Sequence, residues 1–298
     1  MRRILVLAII LLAAAGSLYL AQRRKRADTV SPNAVLDAAA DWQRDVARAP
    51  MHFTRLSDEE EIRIGETLAA QYATSAPQNA AEFAATELYV NRVGERVAAR
   101  AHRRLPFRFH LVADTNLINA FALPGGHVFV GQGLLDRMTS EDELAFVLGH
   151  EIEHIDHYHA VERVQLQAQL KNLNLDLVAA LAELPISLWE AGYSKDEELE
   201  ADREGLRLAV AAGYSAQGAL KMLERWTRLH SEYVIHAQAP IDELSEVAIE
   251  GLQGYFRSHP LPSERLAQAR QVIAQDRLDA AKPLTPFRVE YEITGGGR

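Results

Sequence analysis

The 298-residue sequence contains no cysteine. That excludes disulfides, thiolate zinc fingers, iron–sulfur clusters and cysteine catalysis. It also lacks a basic excess: 32 Lys and Arg stand against 41 Asp and Glu, a formal net charge of −9. A nucleic-acid binder usually carries a basic face, so that class is disfavoured. There is no internal repeat, and after the N-terminal stretch there is no second uninterrupted apolar span. Leu173 to Trp189 is apolar but is broken by Asn174, Asp176, Glu183 and Pro185, which suits a helical hairpin lying on the domain. With 48% hydrophobic and 24% charged residues, the composition is that of a folded chain, not a disordered one.

What is present begins at the N-terminus. Ile4 to Ala21 carries no charge, with Arg2 and Arg3 before it and Arg23, Arg24, Lys25 and Arg26 after it. As a helix it would reach about 27 Å, close to the thickness of a bilayer's hydrocarbon. Ala13, Ala14 and Ala15 would suit a signal peptidase. The basic cluster that follows hinders export, which favours an uncleaved anchor. The basic-residue count weakly favours a cytoplasmic body. The expected organisation is an anchor or signal segment over 1–26, a linker over 27–50, one folded domain over 51–280 and a tail over 281–298.

Within the body, Ser57-Asp58-Glu59-Glu60 reads as a capping box opening a helix. A second helix is expected over about 80–101. Phe107 to Val112 alternates as a strand should, and Pro124-Gly125-Gly126 divides two apolar runs as a hairpin turn would. A long helix is expected over 140–158, and helices dominate from there to about 278. The alternating run Phe287, Val289, Tyr291, Ile293 suits an edge strand. The expected class is α+β: a mostly helical domain with a small hairpin or sheet beside the long helix.

The strongest chemical signal lies on that helix: His150-Glu151-Ile152-Glu153-His154. Histidines four apart share a helix face and can grip one ion, and Glu151 beside them can take a proton from water. The same five residues also satisfy the inverted order His-x-x-Glu-His, with Glu153 as base, and spacing does not choose between the two. His157 lies about 10 Å along the axis from His150, too far to join the same tetrahedral site in an unbroken helix. A third ligand is therefore sought in Tyr193 to Asp202. There Glu198 and Asp202 share a face, and Glu197 and Glu200 compete with Glu198.

These elements together carry a resemblance. His150–His154, then the acidic segment 193–202, then Ser258-His259-Pro260 with Arg265, are similar to the gluzincins of peptidase family forty-eight, the CAAX prenyl protease and HtpX type. Asn119 to Gly126 and Gly131 to Leu135 match the family's strand and turn before the zinc helix. The resemblance is to the branch of periplasmic β-barrel assembly-enhancing and mitochondrial inner-membrane stress proteases. It implies a zincin-type fold and one zinc per chain held by His150, His154 and Glu198. It implies Glu151 as base, with Asp202 and Arg265 supporting the ligands. His259 would close the site or aid the transition state. It further implies a substrate strand through Asn119, Ala120, Phe121 and Ala122, and a single-pass membrane protein with its body in the periplasm. The activity implied is cleavage of misfolded or stalled proteins; the room left after residue 278 is too short for a tetratricopeptide array, so none is expected. The alternative is a zinc-stabilised chaperone or scaffold that binds unfolded chains and seldom cuts.

Overall fold

The structure, a computed structural model, describes residues 56–75, 81–159, 161–162, 193–236 and 262–287. These fall within one compact unit, Arg55–Arg298. The N-terminal span, the 173–189 hairpin, His259 and the alternating run beyond Phe287 lie outside the described residues.

Helix α1 (Asp58–Ser75) starts as its capping residues dictate. Ser57 N–H donates to Glu60 Oε2 at 2.8 Å, and Glu60 N–H donates to Ser57 Oγ at 3.3 Å. Its buried face carries Ile64 and Leu68, four residues apart. Helix α2 (Ala81–Ala98) buries Val90, Val93 and Val97. It holds strand β1 (Arg108–Val112) through Asn91, whose amide donates to the Phe109 carbonyl (2.5 Å) and accepts from Phe109 N–H (3.2 Å).

Strands β2 (Ala120–Leu123) and β3 (His127–Gly131) form the expected hairpin around Pro124–Gly126. Gly125 and Gly126 take φ 74° and 101°, where a Cβ would be strained, so this turn needs glycine. Gly125 N–H donates to the buried Glu61 carboxylate (3.1 Å), which ties the turn to α1. The sheet order is β1-β3-β2, with β1 parallel to β3 and β2 antiparallel to it. Among the described residues β2 is therefore an edge strand. Its side chains divide by parity as a strand requires: Ala120 and Ala122 join the main core, and Phe121 and Leu123 join a second cluster against α1.

A short helix α3 (Gln132–Leu135) leads to α4 (Glu141–Asp156). Ser140 caps α4 by accepting from Glu143 N–H. The helix ends two residues short of the expected span. The buried Asp142 accepts from Ser215 N–H and from Thr285 N–H, each at 2.6 Å. It thereby fastens the start of α4 to segments far apart in sequence. Pro286 makes one antiparallel bridge to Ser140, so this part of the expected tail is bound to the body. Helices α5 (Lys195–Ala211), α6 (Gln217–His236) and α7 (Pro262–Asp276) are the remaining elements among the described residues. α5 and α6 pack on α4, and α7 packs on both of them. α4 is the axis of the domain: every residue from Asp142 to Asp156 is buried. The architecture is α+β, mostly helical with one small sheet.

Candidate metal centre

Two helices build the site. α4 supplies His150 and His154 one turn apart, and α5 supplies Glu198 and Asp202 one turn apart. What lets them meet is a contact without side chains. A Cβ added to Gly149 would lie 2.6 Å from Gly205 O, and one added to Gly205 would lie 2.6 Å from His150 N. The two backbones touch there, which brings the acidic turn of α5 over the histidines.

The three donors converge. His150 Nε2 lies 3.1 Å from His154 Nε2, 3.5 Å separates His150 Nε2 from Glu198 Oε2, and 3.6 Å separates His154 Nε2 from Glu198 Oε1. A tetrahedral zinc ion with bonds near 2.1 Å would space its ligand atoms by about 3.4 Å. All three residues are buried, and together they form a group able to hold a metal ion. The chemistry of the set fits as well as its spacing. Two imidazole nitrogens and one carboxylate are turned toward one point, three electron-rich groups that a cation reconciles. Burial pushes the Glu198 carboxyl well above its ordinary value against the pull of Arg265, so a charged carboxylate there calls for positive charge nearby. Burial also holds the His150 imidazole below its ordinary value, which keeps its lone pair available.

Around the donors stands a supporting set. His150 Nδ1 lies 3.0 Å from Asp202 Oδ1, where its N–H donates to the carboxylate and leaves the lone pair on Nε2, the nitrogen turned toward His154 and Glu198. Arg265 of α7 grips Asp202 with two bonds of 2.6 Å, Nε to Oδ2 and Nη2 to Oδ1. Burial alone would raise the Asp202 carboxyl, but Arg265 and His150 outweigh it and hold it well below the ordinary range. Arg265 thus acts on His150 through Asp202, and it also reaches the adjoining cavity.

That cavity is lined by His150, Glu151 and Arg265 together with Ala120, Leu134, Phe146, Val147 and Trp226. Glu151 opens on it, and burial pushes its carboxyl up to about 8, opposed by Arg265. Glu153 does not line it. Its carboxylate pairs instead with His157 at 3.0 Å and lifts that imidazole to about 9. The two acids of the motif thus differ in place: Glu151 lines the cavity and Glu153 pairs with His157.

The competing acids also part company. Glu197 closes the α5 capping box with Ser194. Glu200 lies toward His159 and Arg203. Only Glu198 of the three joins the histidines. From the expected substrate strand only Ala120 lines the cavity. Asn119 receives the Gly131 N–H on its carbonyl (2.9 Å), and Phe121 stacks on Phe129 with ring centroids 5.1 Å apart. Sequence reasoning missed the Gly149–Gly205 contact and the places of Trp226 and Leu134 at the cavity. None of these carries a local signal, because each depends on a partner element.

A model of peptidase family M48 matches residues 84–273. The chain is 30% identical to a beta-barrel assembly-enhancing protease of Yersinia pestis over 233 residues, 72% of this chain and 44% of the relative. It is 27% identical to that of Escherichia coli strain K12 over 242 residues, 74% of this chain and 45% of the relative. It is 31% identical to the mitochondrial metalloendopeptidase OMA1 of Bos taurus over 181 residues, 55% of this chain and 32% of the relative. The chain thus spans less than half the length of each of these relatives.

Proposed function

The chain belongs to peptidase family M48, and from that premise we propose that it is a zinc-dependent endopeptidase of protein quality control, acting on misfolded or stalled polypeptides. The observation that carries this reading is the convergence of His150, His154 and Glu198 beside a cavity onto which Glu151 opens. His150 and His154 would hold zinc through Nε2 and Glu198 through its carboxylate. Once bound there, zinc supplies Lewis acidity toward a carbonyl oxygen and toward water.

The chain's own groups do the rest. Glu151 takes the proton from the attacking water on its carboxylate and passes it to the departing amine nitrogen. A neighbouring dication favours the ionised carboxylate and so opposes the upward push of burial. Phe146, Val147, Leu134 and Trp226 give the cavity apolar walls that exclude bulk water. The outer edge of β2 offers main-chain groups to an extended substrate, which reads backbone more than sequence and suits unfolded chains. A carboxylate at the cavity favours cutting over binding alone. By the resemblance alone, His259 would be a group that closes the site or aids the transition state.

Two outcomes are expected of the metal. Purified protein should carry one zinc per chain, and His154→Ala should lose it. A chelator should abolish casein cleavage, and zinc should restore it. Full zinc retention by His154→Ala would overturn the ligand assignment.

The N-terminal apolar stretch supports a membrane tether, and the resemblance to periplasmic proteases, against the weak count of flanking basic residues, supports a body in the periplasm. The expected result is that the full chain sediments with membranes and stays there through high salt. Recovery of the full-length chain in the soluble fraction would refute the tether.

A further inference from the structure

His159 is 3% exposed and takes no part in the chemistry above. Five residues past His154 in an unbroken helix, it would point about 140° away from it. The helix is broken. α4 stops at Asp156, His157 caps it, and Tyr158 takes φ 61°, a left-handed step rare for an aromatic residue. The Arg103 guanidinium lies 3.8 Å over the Tyr158 ring, and Glu162 N–H donates to the Tyr158 carbonyl at 2.9 Å. The reversal carries His159 Nδ1 to 2.9 Å from His154 Nδ1. On the far side of the ring, His159 Nε2 faces Glu200 Oε2 at 3.6 Å.

We propose that His159, backed by Glu200, is a positioning residue that fixes the tautomer and orientation of the metal ligand His154; this rests on the metal-site reading above. With His154 Nε2 turned to the other donors, its proton sits on Nδ1 and donates to His159 Nδ1. His159 must then hold its own proton on Nε2. The Glu200 carboxylate favours it there through charge, since 3.6 Å is longer than a hydrogen bond. Tyr193 stacks on His154 at 3.6 Å between ring centroids and restrains rotation of the ring.

The two ligating histidines are thus supported unequally. His150 donates straight to a carboxylate, whereas His154 donates to a neutral ring with a carboxylate one ring further away. His157 is not part of this line, because it is committed to Glu153.

The test is zinc affinity by chelator competition on full-length wild type, His159→Ala, His159→Gln and Glu200→Gln, with near-ultraviolet circular dichroism matched first. Loss of an outer partner of a ligating histidine typically weakens metal binding about 10–100-fold, and that is expected of His159→Ala. His159→Gln should recover most of the loss, because an amide oxygen accepts from His154 while its NH2 donates toward Glu200, although the ring's volume is missing. Glu200→Gln should weaken binding by a smaller factor. A role in packing alone would not be rescued by glutamine, so equal affinities of the alanine and glutamine variants would overturn the proposal, as would wild-type affinity in His159→Ala. If His159→Ala does not fold, Glu200→Gln decides, its side chain being 39% exposed; unchanged affinity there defeats the inference. Wild type that binds no zinc would instead defeat the metal-site reading, and this inference with it.

Discussion

Glu151→Gln should lower casein hydrolysis by about 10²–10⁴-fold, the usual worth of a general base, while zinc content and fold stay as in wild type. Glutamine keeps the volume of glutamate and carries no charge. The site around residue 151 is buried, and burial already disfavours the charged form, so a neutral amide is compatible with the packing. What glutamine lacks is a basic oxygen to accept a proton. Glu153→Gln is the control. Glu153 is buried against His157 and away from the cavity. Its loss should cost stability through His157 and leave turnover within a few-fold of wild type. Peptidase assays on zinc-matched variants decide the matter. If Glu153→Gln is the dead variant and Glu151→Gln the active one, the inverted motif is correct.

The second large effect is expected far from any reacting atom. Gly205→Ala should lower zinc affinity by more than tenfold and reduce stability by about 1–3 kcal/mol, the range for overpacking a filled contact. The added methyl would meet His150 N at 2.6 Å and Gly149 C at 2.8 Å, both backbone atoms that cannot rotate aside. The helices must separate by several tenths of an ångström or more, whereas metal–ligand distances hold to about 0.2 Å. Glu198 and Asp202 ride on α5 and would move away from His150 and His154 together. Zinc titration and thermal melting of the variant provide the check. An unchanged melting temperature with full zinc affinity would show that the helix contact does not set the site.

These two substitutions mark where local pattern ends and tertiary structure begins. The His150–His154 spacing was legible because a helix repeats every 3.6 residues, so four positions suffice to place both rings on one face. The α1 capping box and the Pro124–Gly126 turn were legible for the same reason, since their chemistry is complete within a few residues. The boundary of α4 was less so: its last turn yields to the Tyr158 reversal, which Arg103 braces from another part of the chain.

Spacing left open which acid on α5 serves the site, and resemblance, not residue pattern, pointed to Glu198. In the structure each acid has its own commitment: Glu197 to the helix cap, Glu200 to His159 and Arg203, Glu198 to the histidines. Likewise the choice between Glu151 and Glu153 depends on which side of α4 faces a cavity, and α5, α6 and β2 decide that by where they pack.

By itself, the sequence determined the start of α1, the hairpin turn and the pairing of His150 with His154 on one helix face, because hydrogen bonds and side-chain periodicity act over a few residues. Only the tertiary structure brings Glu198 to the two histidines, turns Glu151 onto the cavity and carries His159 back to His154. Those placements rest on contacts such as Gly149 with Gly205, between segments that no local period relates.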